Sequence, residues 1–218
     1  MSYDKTYAVL GLGRYGKAVA RTLAENGADV IAVDHDESIV NELALEIPVC
    51  KCADITDPEV IEQLGIGSAD VAVIAMASSL EASIMAIVLC KEAGVKTVIA
   101  KCSDKMHGKI MIKVGADQVI EPEYESGIRL ANTLLRPGIK DIIDLSPDIS
   151  MIEMEVKPEW AEKSIQSLDL RRKYSINIVA IQDGDKVIAN ITPDLILKSN
   201  MKLIVLTDIS SKNIKKIR

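Results

Sequence analysis

The sequence predicts an α/β protein: a doubly wound parallel sheet of strand order 3-2-1-4-5-6, followed by a small α+β unit. Three observations carry this reading. Apolar, β-prone runs alternate with helical patterns over residues 1–135, and a Gly-x-Gly-x-x-Gly turn, Gly11-Leu12-Gly13-Arg14-Tyr15-Gly16, joins the first strand to the first helix. Beyond residue 147 the pattern changes to short strands. Strict alternation of strand and helix requires crossover connections, and these make the strands parallel.

The elements follow in order. Tyr7-Ala8-Val9-Leu10 ends the first strand; Ala18, Val19 and Leu23 recur at helical spacing until Asn26-Gly27 stops the helix. Val30-Ile31-Ala32-Val33 forms the second strand and ends in Asp34. A helix over 38–46, a strand over 49–52 and a helix from Pro58 come next. Residues 69–75 read as a fourth strand buried on both faces, and Ser78 or Ser79 caps a helix that Gly94 closes. The fifth strand spans 97–101, Asp104 caps a helix ended by Gly115, and 118–121 is the sixth strand. A helix over 123–135 completes the first domain, 1–135, and residues 136–147 read as a connector to a second domain, 148–218. That domain is predicted to hold strands over 151–156, 176–182, 186–189 and 202–207, a helix over 164–174 and a closing helix from Ser210. Asp183-Gly184-Asp185 is a hairpin signal.

The glycine turn carries chemistry. Gly11 permits the tight turn, Gly13 lets backbone N–H groups approach a phosphate, and Gly16 lets the helix pack closely on the strand. The helix N-terminus adds partial positive charge, and an acid at the end of the second strand can hold ribose hydroxyls. Asp34 lies at the expected distance, about 20 residues on. The arrangement is Rossmann-like and predicts a bound adenine nucleotide; the competing reading uses the glycines for packing only. Asp34 would repel a 2′-phosphate, which disfavours NADP. Arg14 is either a solvated first-turn residue or a guanidinium that reaches a terminal phosphate or a neighbouring subunit's ligand.

Composition narrows the classes. Hydrophobic residues make up 48% of 218, phenylalanine is absent and aromatics reach only 3%, so the core is aliphatic. Few aromatics and a net charge of −6 argue against nucleic acid. The apolar runs fall short of the roughly 20 residues needed to cross a bilayer, and the N-terminus lacks signal-peptide character. A soluble, cytoplasmic protein is expected, with any membrane role supplied by a partner. Cys50, Cys52, Cys90 and Cys102 fit neither a disulfide framework nor a zinc pattern and read as buried reduced thiols. His35 and His107 lack a Ser or Cys partner at motif spacing and read as solvated; Met106 and Met111 read as packing. Trp160 is expected to bury its ring where the second domain meets something else, such as a symmetry mate.

The chain as a whole resembles the regulator-of-potassium-conductance (RCK) proteins of the cytosolic TrkA/KtrA type. The resemblance rests on Tyr7 to Gly16 with Asp34, on Gly115-Ala116-Asp117 before Val119-Ile120-Glu121-Pro122-Glu123, and on the small β-rich second domain. It implies a gating subunit, not an enzyme: a homodimer that assembles into a ring, often octameric, beneath a membrane potassium translocator. ATP, ADP or NAD/NADH would bind the first domain and switch the ring's shape. Carried onto this sequence, Gly11, Leu12, Gly13, Arg14, Tyr15 and Gly16 hold phosphates and Asp34 holds ribose; His35, beside Asp34, is placed to touch ribose or adenine. Asp54-Ile55, Ala75-Met76-Ala77 and Lys101 lie at strand ends along the ligand. Arg14 corresponds to the family arginine that reaches the terminal phosphate across the dimer interface. Glu123 corresponds to the acid that meets a cation there, magnesium or another ion, with Glu121 the competing choice. In the second domain Ile165, Arg171, Ile176, Asn177 and Pro193 are similar to a cyclic di-AMP pocket, against which stands a plain surface arginine and turn asparagine. A small NAD-dependent oxidoreductase is the alternative, but the second domain offers no acid/base constellation.

Overall fold

Alternating strands and helices build the first of two units, Met1–Pro122, and short antiparallel strands build the second, Glu123–Arg218. The computed structural model describes residues 3–76, 79–135, 139–146 and 148–208. Unit one contains β1 (Tyr3–Leu10), α1 (Arg14–Glu25), β2 (Ala28–Asp34), α2 (Glu37–Leu43), β3 (Val49–Cys52) and α3 (Pro58–Gln63). It continues through β4 (Val71–Ile74), α4 (Leu80–Glu92), β5 (Thr97–Lys101), α5 (Lys105–Val114) and β6 (Gln118–Ile120). The sheet order is β3-β2-β1-β4-β5-β6, with every neighbouring pair parallel.

The helices start where capping chemistry places them. The Asp36, Asp57, Ser79 and Asp104 side chains accept first-turn amides of α2, α3, α4 and α5. Of the two serines before α4, Ser79 takes the amide of Ala82. Along the strands, alternate residues feed two separate cores. Ala8, Leu10, Ala72, Ile74, Val98 and Ala100 pack on one face of the sheet; Val9, Val30, Ala32 and Val73 pack on the other. Both faces are covered, as a parallel sheet requires, so the open ground lies at the strand ends. The order reverses between β1 and β4, and this switch point leaves a crevice at the carboxyl edge.

Unit two contains α6 (Pro122–Leu134, whose first residue closes unit one), β7 (Ile139–Asp144), β8 (Ile149–Glu155), α7 (Ile165–Leu168) and α8 (Leu170–Tyr174). β9 (Ile176–Asp183), β10 (Lys186–Ile188) and β11 (Lys202–Asp208) follow. Its sheet runs β10-β9-β11-β8-β7, antiparallel throughout. The hairpin signal at Asp183-Gly184-Asp185 is realised: Asp183 pairs with Lys186 and Gly184 takes φ +59°.

Several expectations change. Residues 139–144 form a strand paired with β8 and not an irregular connector. The single helix over 164–174 is broken into α7 and α8 because Asp169 takes left-handed φ/ψ of 46°/46°. Trp160 buries its ring inside unit two itself, edge-on to Tyr174 at 5.4 Å, with no symmetry mate needed. Cys52 is exposed, at the last residue of the edge strand, while Cys50, Cys90 and Cys102 are buried. The proposed closing helix from Ser210 lies outside the described residues. Among the described residues no helix is long and apolar enough to cross a membrane.

Candidate nucleotide-binding site

The three glycines at the β1–α1 turn occupy three different environments. Gly11 takes φ +92° and donates its amide to the Val33 carbonyl at 2.8 Å. A side chain there would be strained and would crowd the Met76 backbone nitrogen. Gly16 is a packing residue: a Cβ would stand 1.9 Å from the Gly11 carbonyl oxygen. Gly13, the N-cap of α1, has φ −60° and ψ −173°, and a Cβ there would meet nothing within 4 Å. Open space therefore lies in front of the residue that leads into the free amides of the first helical turn. That turn carries no acidic side chain.

Asp34 closes the other side. Its carboxylate is buried, at 7% exposure, and accepts the Leu12 amide on Oδ2 and the Asp36 amide on Oδ1 at 2.9 Å. His35, almost fully solvent-exposed, has Nδ1 3.2 Å from Asp34 Oδ1. The Asp34 carbonyl accepts the Ala53 amide at 2.9 Å, which docks the end of β3 against β2. Asp54 is exposed and binds the amide and hydroxyl of Thr56, and these two hydrogen bonds hold its carboxyl below the usual range. Ile55 turns into the core.

The far wall comes from β4 and β5. The Ala75 amide donates to the Leu10 carbonyl at 2.8 Å, and Met76 borders Gly11. The buried Ser83 hydroxyl sits between the Ser79 and Met76 carbonyls, at 2.9 and 3.1 Å, which share its one hydrogen, and so fixes this turn. Lys101 reaches back over the Tyr15 ring, Nζ 5.8 Å from the centroid, which places a second cation beside the first turn of α1. Arg14 is exposed and makes no ion pair among the described residues. Ala77 lies outside the described residues, and Glu123 is exposed in the first turn of α6, in the other unit.

In unit two, Ile165, Arg171, Ile176 and Asn177 line one cleft of about 370 Å³ together with Gln166, Asp169, Leu170, Ile178 and Ile191. Pro193 supplies its carbonyl to the Gln166 amide at 2.8 Å. Sequence reasoning missed Ser83 and Gln166, because a helix-face serine and a surface glutamine carry no motif. It also missed a partner for His107: Ser103 Oγ lies 2.6 Å from Nδ1, at the i, i+4 spacing of a helix start. Among the described residues no group of three or more His, Cys, Asp or Glu could hold a metal ion.

Comparison with known proteins gives this geometry a context. Residues 7–122 match the TrkA-N domain and residues 151–217 the TrkA-C domain. Ktr system potassium uptake protein C of Bacillus subtilis is 34% identical over 209 residues, covering 94% of this chain and 95% of that protein. Ktr system potassium uptake protein A of Vibrio alginolyticus is 33% identical, covering 88% and 86%. Among solved structures, the GsuK channel bound to NAD shares the fold with TM-score 0.64 at 15% identity, over 96% of this chain and 39% of the channel's. The relatives bear the names of potassium uptake proteins and not of enzymes. With both domains matched in order along its length, the chain belongs to the TrkA-N/TrkA-C domain family of the Ktr potassium uptake proteins.

Proposed function

We propose that the chain is the nucleotide-sensing regulatory subunit of a membrane potassium-uptake system, with an adenine nucleotide bound across the β1/β4 switch point. One observation carries the reading most directly: the clearance in front of Gly13, at the head of α1, begins one residue beyond the Leu12 amide that Asp34 holds. In this reading Gly11 to Gly16 hold the phosphates, Asp34 and His35 the ribose, and Asp54, Ala75, Met76 and Ala77 border the adenosine, while Ile55 supports Asp54 from the core. The names of the Ktr relatives and the NAD of the GsuK neighbour support it.

The finer parts of the proposal concern switching. ATP and ADP, or NAD and NADH, shift a ring of homodimers, an octamer in the fullest form, between two shapes. A nucleotide can do so only through unequal affinity for the two states. Arg14 reads the terminal phosphate, and Glu123, from the neighbouring subunit, closes the contact through a bound cation. The subunit lies in the cytoplasm and touches the membrane through its translocating partner. The cleft of unit two takes cyclic di-AMP, with Arg171 at phosphate and Asn177 at a base edge; the four predicted residues that share that cleft support this.

The test is calorimetry with ATP, ADP and NADH on the wild type and on Gly13→Val. The backbone at Gly13 suits any residue, and losing a glycine cap costs at most about 1 kcal/mol of stability. The variant should therefore melt nearly as the wild type does while losing nucleotide affinity. Unchanged affinity would refute the site.

A further inference from the structure

We infer that Asp34 is a positioning residue for the phosphate loop, and not only a ribose ligand. The inference rests on the nucleotide reading above and adds a second role at the opposite end of the ligand. Both carboxylate oxygens are committed to the chain itself: Oδ2 accepts the Leu12 amide and Oδ1 the Asp36 amide. Leu12 stands between Gly11 and Gly13, and its residue is fully buried. Its N–H cannot turn to solvent, and a buried donor without an acceptor is costly. The carboxylate therefore ties the middle of the glycine turn to the β2–α2 loop, 22 residues further along the chain. The clearance at Gly13 and the first-turn amides of α1 begin at the next residue.

The substitution Asp34→Asn separates the two roles. Asparagine has the same shape, but its side chain offers one acceptor oxygen and one NH₂ group. The two amides that meet Asp34 are both donors, on different oxygens. Whichever way the substituted carboxamide turns, one backbone N–H faces an NH₂ group. The loop then loses a partner even when no ribose is present.

The experiment compares ADP with 2′,3′-dideoxy-ADP, which keeps the phosphates and lacks the ribose hydroxyls, on the wild type and on Asp34→Asn. Calorimetry should show that the substitution weakens dideoxy-ADP roughly 10-fold or more, the scale of a charge-assisted hydrogen bond. If the variant loses ADP but binds dideoxy-ADP as tightly as the wild type does, Asp34 acts through ribose alone; the inference falls and the nucleotide reading stands. If the wild type binds neither ligand, the nucleotide reading falls and takes the inference with it. A cooperative thermal melt establishes that the variant is folded. Should it not fold, residue-resolved hydrogen exchange on the ligand-free wild type decides. The Leu12 amide should exchange as slowly as the β1 amides, and exchange at the rate of an open loop overturns the tie.

Discussion

The two sheets bury their strands differently, and this difference decides what kind of ligand surface each unit can offer. In unit one, successive residues of β1 and β4 enter opposite cores, so neither face of the sheet is available. Its site is confined to the strand ends and is made largely of backbone: glycine clearances, first-turn amides and one carboxylate that orders them. In unit two, β8 and β11 alternate buried and less buried residues; Leu203, Val205 and Thr207 point inward, and Lys202 pairs with Glu153 outside at 3.0 Å. Its cleft is built instead from side chains beside the break at Asp169. A site made of backbone tolerates almost no substitution, whereas one made of side chains can change specificity by single replacements.

The largest effect should come from Trp160→Ala. The ring is 2% exposed and stacks edge-on with Tyr174. Removing it should cost about 3–5 kcal/mol, enough to unfold a small antiparallel unit. Nucleotide affinity, measured by calorimetry, should survive in the same variant. If it is lost as well, the units are not independent in the way their separate cores imply. Gly16→Ala makes the converse test. A Cβ 1.9 Å from the Gly11 carbonyl forces the turn open, and about 3 kcal/mol of stability and the nucleotide site should go together. Trp160 fluorescence should be unaffected.

Unit one was the more legible of the two because its signals are local and repeated. Most strands centre on a short apolar run, α2 to α5 each open on an Asp or Ser cap, several helices close on a glycine, and Gly11 must be glycine because of its positive φ. Order 3-2-1-4-5-6 then follows from alternation. Tertiary hydrogen bonds were not legible. Nothing in the sequence says that Asp34 binds the Leu12 amide, since that bond exists only once β1 and β2 are paired. In unit two, β11 inserts between β8 and β9, a non-local pairing that no neighbouring residues announce. Asp169 read as an ordinary helix residue, although Asp is among the residues that tolerate left-handed backbone.

A smaller effect is expected where a side chain extends the backbone site. Arg14 is exposed, so Arg14→Ala should leave the fold and ADP affinity nearly intact. If its guanidinium reads the γ-phosphate, ATP preference should fall roughly 10- to 150-fold, the equivalent of about 1.5–3 kcal/mol. Calorimetry with both nucleotides measures this directly. A variant that keeps the wild-type ATP-to-ADP ratio would place γ-phosphate recognition elsewhere.

The smallest predicted effect concerns acid. Asp70 is held below the usual carboxylate range by the Lys96 ammonium and the Thr6 amide, and Asp117 by Lys91 and the Val98 amide. Asp36, through Ser38, and Asp104, through the His107 amide, are lowered as helix caps of α2 and α5. All belong to unit one. In unit two Asp194, bonded to the Thr192 hydroxyl, is lowered as well. A carboxyl depressed in the folded state stabilises above its unfolded pKa, and that contribution disappears as pH falls through the folded value. Unit one should therefore lose more stability than unit two between about pH 4 and 2. These carboxyls are exposed or, for Asp70, half-buried, so each contribution is small and salt-sensitive. The molecule supplies separate reporters: Trp160, the one tryptophan, sits in unit two, whereas α1 to α5 lie in unit one. In an acid titration at low salt, far-ultraviolet circular dichroism should change at higher pH than tryptophan fluorescence does. Coincident midpoints, or the reverse order, would show that the caps and ion pairs of unit one do not set its acid stability.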